Sequence, residues 1–149
     1  MQFHWQTTPP VYLEKLNHIY RLLWHNKNKF EQVSHKVYDK QLRLTILTLV
    51  QEINQYAGEL YSLIHSLGGR LHSTQTEVTE ETTTLLPSDA EHDVLQFCEV
   101  HEKAMVRAYR AILNESYLYE GIREMIRSQL NGILCSFTQL RLLQSLKMS

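Results

Sequence analysis

Residues 46–67, ILTLVQEINQYAGELYSLIHSL, carry the apolar pattern that decides the fold. Apolar side chains recur here every three or four residues, at Ile46, Val50, Ile53, Ala57, Leu60, Ile64 and Leu67. This spacing places them along one side of an α-helix, the side that packs against other helices. A second uninterrupted stripe has the same spacing: Ile122, Ile126, Leu130, Ile133, Phe137 and Leu140. The two stripes predict two helices that each bury one face.

Two further stripes are interrupted by polar side chains. They consist of Leu13, Leu16, Tyr20, Leu23, Lys27 and Phe30, and of Val94, Cys98, His101, Met105, Tyr109 and Ile112. All four stripes together predict an all-α chain of four helices. Metal and cofactor sites of four-helix bundles are built from inward polar side chains, whereas an apolar interior is typical of a scaffold. The interrupted stripes are therefore the place to look for a functional site.

Cap and turn residues delimit the four helices. Thr8 followed by two prolines favours a helix start, and Asp39 is a favourable N-cap for the second helix. Gly68 can supply the left-handed residue that ends this helix, and Ser88 begins a capping-box pattern for the third. The expected helices are 9–37, 40–67, 88–114 and 118–146, preceded by an N-terminal arm at 1–8.

The composition indicates a single domain, 1–149, in the cytoplasm. A chain of 149 residues can bury a substantial core. Its net charge of -1 and scattered basic residues argue against nucleic acid as a partner, and no apolar run is long enough to span a membrane. The N-terminal residues lack the basic and apolar regions of a signal peptide. Cys98 and Cys135 are then expected to be free thiols.

The segment 68–87 is the unusual connection. It contains six threonines and three glutamates, and long loops without secondary structure are uncommon in compact domains. About 20 extended residues reach about 65 Å, which exceeds the roughly 42 Å of a helix of about 28 residues. The segment can thus cross the whole bundle and leave helices 2 and 3 parallel, which is the ferritin-like connectivity. A surface loop in an up-down-up-down bundle is the alternative.

Several short motifs occur in order between about Leu16 and Leu143. They are Phe30, QYAGEL at 55–60, LGG at 67–69, CEVHEKA at 98–104, Tyr109, Gln129–Leu130 and Leu140–Arg141. In this order they resemble an uncharacterised bacterial family, a domain of unknown function in the ferritin-like superfamily. The resemblance implies a ferritin-like four-helix bundle related to the metal-binding ferritins and rubrerythrins.

The chain departs from that family where a metal site would be expected. The family's glycine-rich stretch with His-Arg and Trp is absent from 68–87, and its helix 4 His-Asp pair and upstream acidic residue align with Phe137-Thr138 and Gly132. A ferritin-like di-iron site needs Glu-x-x-His on two helices, and none of the four predicted helices contains this pattern. Glu52 and Glu59, the only carboxylates of helix 2, are expected to face solvent.

Polar side chains of helices 1 and 3 form the remaining candidate site. Glu31, His101 and Glu102, with His35 as a further ligand, are the candidate ligands of one iron or other divalent metal ion. The alternative is a buried polar cluster in which Lys27 and Glu31 pair with His101 and Glu102 and fix the helix register. Phosphotransfer through His101 is disfavoured, because the residue is predicted to point inward.

We therefore expect a non-catalytic helical bundle that acts through protein–protein contact or self-association. Apolar residues outside the stripes are expected to mark outer faces that can join a homo-oligomer: Leu44, Leu47, Met125, Leu142 and Leu143. A metal-binding ferritin- or rubrerythrin-like protein with a reduced site is the alternative function. No catalytic residue is predicted.

Overall fold

The computed structural model describes residues 10–69, 91–116 and 118–148. This part of the chain forms four helices and no strand: α1 (Pro10–Ser34), α2 (Lys40–Ser66), α3 (Glu91–Leu113) and α4 (Glu120–Met148). The prediction of an all-α chain with four helices is confirmed. The predicted arm 1–8, most of the predicted crossover 68–87 and the predicted cap Ser88 lie outside the described residues.

The two ends of α2 have the caps that the sequence predicts. The Asp39 backbone is extended (φ −66°, ψ 120°), and its carboxylate accepts a 2.7 Å hydrogen bond from the amide of Leu42. This bond satisfies one of the N–H groups that the first helical turn leaves without a partner. Gly68 has φ of 78°, a conformation that L side chains rarely adopt.

α1 ends earlier than predicted. Its regular hydrogen bonding stops at Ser34, and the next three amides, 35–37, donate instead to carbonyl groups three residues back. This tighter pattern is common where helices end. The chain then reaches Asp39 and begins α2 within a few residues, so α1 and α2 form an α-hairpin.

Contacts at the two ends of the bundle fix the directions of the first three helices. The Tyr12 hydroxyl donates to the carbonyl oxygen of Ser116, so the start of α1 lies beside the end of α3. The ring of Phe30, near the end of α1, lies 5.8 Å from that of Phe97, near the start of α3. α1 is therefore antiparallel to α3 as well as to α2, and α2 and α3 run in the same direction.

α4 completes the bundle and is antiparallel to both of its neighbours, α2 and α3. Early in α4, Arg123 donates a 2.8 Å hydrogen bond to the carbonyl oxygen of Leu113 at the end of α3. Later in α4, Ser136 donates to Glu52 in the first half of α2. The end of α2 at Gly69 and the start of α3 at Glu91 consequently lie at opposite ends of the bundle.

The centre of the core is the Phe30 side chain, which has no exposed surface. Its ring lies 5.9 Å from the rings of both His101 and Phe137, in addition to the Phe97 contact. These tilted and edge-on arrangements are the ones that aromatic pairs favour. Phe30 thereby joins α1 to α3 and, across the bundle, to α4. Around it, every member of the two uninterrupted stripes of α2 and α4 is buried.

The polar residue in the buried stripe of α1 is Asn26, whereas the sequence indicates Lys27. Asn26 is 1% exposed, and its side-chain amide donates a 2.7 Å hydrogen bond to the carbonyl oxygen of Leu22. Lys27 is half-buried, and its Nζ lies 3.9 Å from the centre of the Trp24 ring, a cation–π contact. Three of the six predicted members, Leu16, Leu23 and Phe30, are buried; at the other three places the buried residue is the preceding one, 12, 19 or 26.

Replacing Phe30 with alanine is expected to reduce the free energy of unfolding by about 3–5 kcal/mol, because it leaves a cavity where three helices meet. Urea unfolding followed by circular dichroism measures this loss. Tyr38→Ala is the matched control: Tyr38 is 88% exposed, and the change should stay within about 0.5 kcal/mol. Equal losses in the two variants would contradict the central role of Phe30.

Candidate functional site

The predicted metal ligands lie in different environments. Glu31 is exposed on α1 and His35 is exposed in the turn that follows it, whereas His101 is buried in the aromatic core with its ring 4.3 Å from that of Phe97. Among residues 10–69, 91–116 and 118–148, no group of three or more His, Cys, Asp or Glu side chains is placed to hold a metal ion. Metal binding through Glu31, His101 and Glu102 therefore stays a prediction.

Glu102 pairs with a residue of α4 that the sequence interpretation did not place near it. Its buried carboxylate lies 2.5 Å from Nη1 of Arg141, and Nη2 of the same guanidinium donates a 3.2 Å hydrogen bond to the Thr138 hydroxyl. The predicted cluster, in which Lys27 and Glu31 supply the partners, is wrong for Glu102. Removing Arg141 would leave a carboxylate buried without its counter-charge, which is strongly unfavourable.

A polar bridge centred on Gln129 joins α4 to α2 and α3. Gln129 is 1% exposed, and its Nε2 donates to the Glu59 carboxylate at 2.9 Å and to the carbonyl oxygen of Tyr56 at 3.3 Å. Its Oε1 accepts a 2.8 Å hydrogen bond from the Tyr109 hydroxyl. Both N–H donors and the carbonyl oxygen of the amide are therefore engaged, as a buried amide requires.

A second set of hydrogen bonds continues this polar interface along α2. The Glu52 carboxylate accepts hydrogen bonds from the hydroxyls of Tyr56, at 2.8 Å, and Ser136. The prediction that Glu52 and Glu59 face solvent is wrong: both are half-buried against α4. Polar residues at 52, 56 and 59 share one side of the helix, and a search for apolar stripes does not reveal an interface of this composition.

Gly132 provides the space that this interface needs. A Cβ atom at Gly132 would overlap the Tyr56 hydroxyl oxygen and lie 2.8 Å from the Glu52 carboxylate. The phenol ring of Tyr56 therefore rests directly on the α4 backbone. Any side chain at position 132 would compete with Tyr56 for the same space.

The hydroxyls of Tyr56 and Tyr109 stay protonated throughout the ordinary pH range. Burial raises the pKa of Tyr56, and the hydrogen bond to Glu52 raises it further. Burial likewise raises the pKa of Tyr109 well above its usual value. Both hydroxyls consequently act as hydrogen-bond donors, and the two glutamates of α2 accept from neutral groups.

Gly132→Ala is expected to reduce the free energy of unfolding by about 1–3 kcal/mol, because the new methyl group displaces Tyr56. Gly58→Ala is the matched control in mid-helix, since a Cβ there meets nothing within 4 Å. This change should raise the free energy of unfolding by about 0.5–1 kcal/mol, because alanine has a higher helix propensity than glycine. Tyr56→Phe in the Gly132→Ala background should recover part of the loss, as measured by urea unfolding. A stabilising Gly132→Ala would contradict the close contact.

A continuous groove runs between the outer sides of α3 and α4. Two adjoining cavities, of about 620 Å³ and 740 Å³, share Glu99, Glu102, Lys103 and Arg141 in their walls. Apolar side chains line both: Leu95, Cys98, Val100, Phe137 and Leu140 in the first, and Val106, Ala111 and Leu134 in the second. Val100 is 44% exposed, so apolar surface of this groove is open to solvent.

The second half of the groove carries more positive than negative charge. Lys103, Arg107 and Arg110 occupy positions i, i+4 and i+7 of α3 and form an exposed basic rim. Glu99 forms a 3.5 Å ion pair with Lys103, and Glu102 pairs with Arg141 on the opposite wall. The near-zero charge of the whole chain conceals this local excess, whereas the helical spacing of the three basic residues would have revealed it.

Cys98 lies in the wall of the groove but is 3% exposed. Burial raises the pKa of its thiol to about 12, and the nearby Glu102 carboxylate contributes to the same direction. The thiolate is the reactive form of cysteine. The Cys98 thiol is therefore protonated and unreactive at neutral pH, whereas Cys135 is exposed on α4.

Iodoacetamide is expected to alkylate Cys135 and to spare Cys98 in the folded protein. Raising the pH from about 7 to about 9 should leave Cys98 protected, because this range stays far below a pKa of about 12. Mass spectrometry of tryptic peptides gives the two extents of modification. Urea should expose Cys98, and Cys135→Ser should abolish the native-state reaction. Rapid native-state alkylation of Cys98 would contradict its burial.

The off-stripe apolar residues have mixed exposure. Leu44 is 52% exposed and Leu142 is 59% exposed. The other members of this set, Leu47, Met125 and Leu143, are half-buried. The two exposed leucines are available for contact with another molecule.

Comparison with known proteins assigns no family to the chain. No family model matches it, and no curated protein matches it. Within the described ranges, no helix combines the length and apolar character needed to cross a membrane. The features of the described residues that bear on function are the polar interface between α2 and α4 and the α3–α4 groove.

Proposed function

We propose that this protein is a ferritin-like helical bundle without a catalytic role, which acts through protein–protein contact at the α3–α4 groove. The helix directions support the ferritin-like part of the proposal. α2 and α3 are parallel, and Gly69 and Glu91 lie at opposite ends of the bundle, as a ferritin-like connection between them requires.

The hydrogen bonds made by the polar groups between α2 and α4 support a structural role for these groups, as expected of a scaffold. Glu52 and Glu59 are the carboxylates of α2, and both accept hydrogen bonds from neighbouring side chains of the bundle. Tyr56 occupies the space beside Gly132. These groups hold α2 against α4, so their structural role accounts for their presence. The metal-binding alternative finds no ligand cluster among the described residues.

The α3–α4 groove is the observation that carries the proposal. It combines apolar side chains, including the partly exposed Val100, with charged side chains along its edges. An apolar centre bordered by polar and charged groups is the usual anatomy of a protein-binding surface. The groove follows α3 from Leu95 to Asn114, about 28 Å at 1.5 Å per residue. This length is greater than that of most small-molecule ligands.

Site-specific photo-cross-linking in the native host tests this contact. A photoreactive benzoylphenylalanine replaces Val100 in the groove, and the same residue replaces Gly58 on the outer face of α2 as the matched control. Gly58 is exposed and its Cβ meets nothing. Irradiation is expected to give discrete protein adducts at position 100 and none at 58.

The adduct mass distinguishes the two forms of the proposal. An adduct of twice the 17.6 kDa chain mass indicates self-association, and any other discrete mass indicates a different partner. Absence of adducts at both positions, with the variants folded and expressed, would overturn the proposed function. Equal labelling at 100 and 58 would overturn the assignment to this groove.

A further inference from the structure

We infer that the α3–α4 groove binds an amphipathic helix of a partner protein, and that this helix carries acidic residues beside its apolar stripe. The inference rests on the proposed function and adds the chemistry of the partner. Two properties of the groove lead to it: its shape and its distribution of charge.

The shape suits a helix. Two parallel walls, α3 and α4, border apolar side chains that are distributed along the groove rather than collected in one pocket, from Leu95 and Val100 in the first half to Val106 and Leu134 in the second. A helix lying in such a groove contributes apolar side chains at i, i+3 or i+4, and i+7. The roughly 28 Å length corresponds to about 19 helical residues.

The charge of the rim selects an acidic partner. Four cationic and two carboxylate side chains line the second half of the groove. The Glu99–Lys103 ion pair is exposed, with 60% and 69% of the two side chains accessible, so its contribution is small and a partner carboxylate can replace Glu99 at little cost. Arg110 is exposed further along the rim. Acidic residues on a docked helix therefore meet complementary charge, which favours association rate and partner selection.

A protein helix fits these features better than nucleic acid does. The basic rim has three residues on one helix, and the chain as a whole has a net charge of -1, which is a weak footprint for a polyanion. Single-stranded nucleic acid also binds by stacking on aromatic side chains. The aromatic residue of the groove, Phe137, is 2% exposed and is packed against Phe30.

A peptide selection tests the partner chemistry. The immobilised protein is used to select binders from a displayed library of 20-residue helical peptides. Every peptide has the same stripe of leucines, and each position beside this stripe is varied among Glu, Lys and Gln. We expect enrichment of Glu at flanking positions spaced three or four residues apart. Arg110→Glu is expected to weaken an enriched peptide about tenfold in fluorescence anisotropy, as loss and reversal of one contact charge predicts. Arg127→Glu, an exposed charge reversal on α4 outside the groove, should leave its affinity unchanged.

Other results would overturn the inference or separate it from the proposed function. Enrichment of Lys or Gln, or no enrichment at all, excludes an acidic helix. Equal weakening by the two variants would show that the peptide does not bind at the basic rim of this groove. Binding of a single-stranded 30-mer DNA that is lost in Arg110→Glu, without peptide enrichment, assigns the rim to a polyanion. Adducts at position 100 without acidic enrichment would leave the proposed function intact and reject only this partner chemistry. Acidic enrichment without adducts would reject the proposed function alone.

Discussion

The register between the two α-hairpins depends on the hydrogen bonds that the buried Gln129 of α4 donates to Glu59 and Tyr56 of α2. Short connections keep α1 beside α2 and α3 beside α4. Apolar packing resists sliding, but apolar contacts are not directional and can form again with other partners in a shifted register. A buried amide does not allow this sliding, since any displacement leaves a polar group without a partner. The polar interface thus selects one arrangement among several that an apolar core would permit.

The sequence predicted the parts of the fold that depend on local chemistry. The caps at Asp39 and Gly68 follow from the backbone preferences of single residues, and the stripes of α2 and α4 contain apolar residues alone. The predicted stripe of α1 was displaced by one position at half of its members, and at one of these the buried residue, Asn26, is polar and escapes a search for apolar residues. The side of α2 that contacts α4 was missed for the same reason, because Glu52 and Glu59 are interface residues of polar character.

The candidate sites depend on tertiary register and were predicted less well. Burial of His101 followed from its place in the apolar stripe of α3, and Glu102, beside that stripe, is buried as well. The Arg141 partner of Glu102 lies 39 positions further along the chain, and only the antiparallel docking of α3 and α4 brings the two together. The groove has the same origin, since its walls come from two helices. The spacing of residues 103, 107 and 110 indicates a basic face on α3. The net charge of the whole chain is close to zero and does not reveal this face.

The contact between Tyr56 and Gly132 restricts the order in which this chain can change during evolution. A larger residue at position 132 is tolerated only after the side chain at 56 has become smaller, because both compete for one volume. A smaller residue at 56, arriving first, leaves Glu52 with one hydroxyl donor fewer. Either replacement made alone is therefore less favourable than the present pair, so the two positions are expected to change together rather than one at a time.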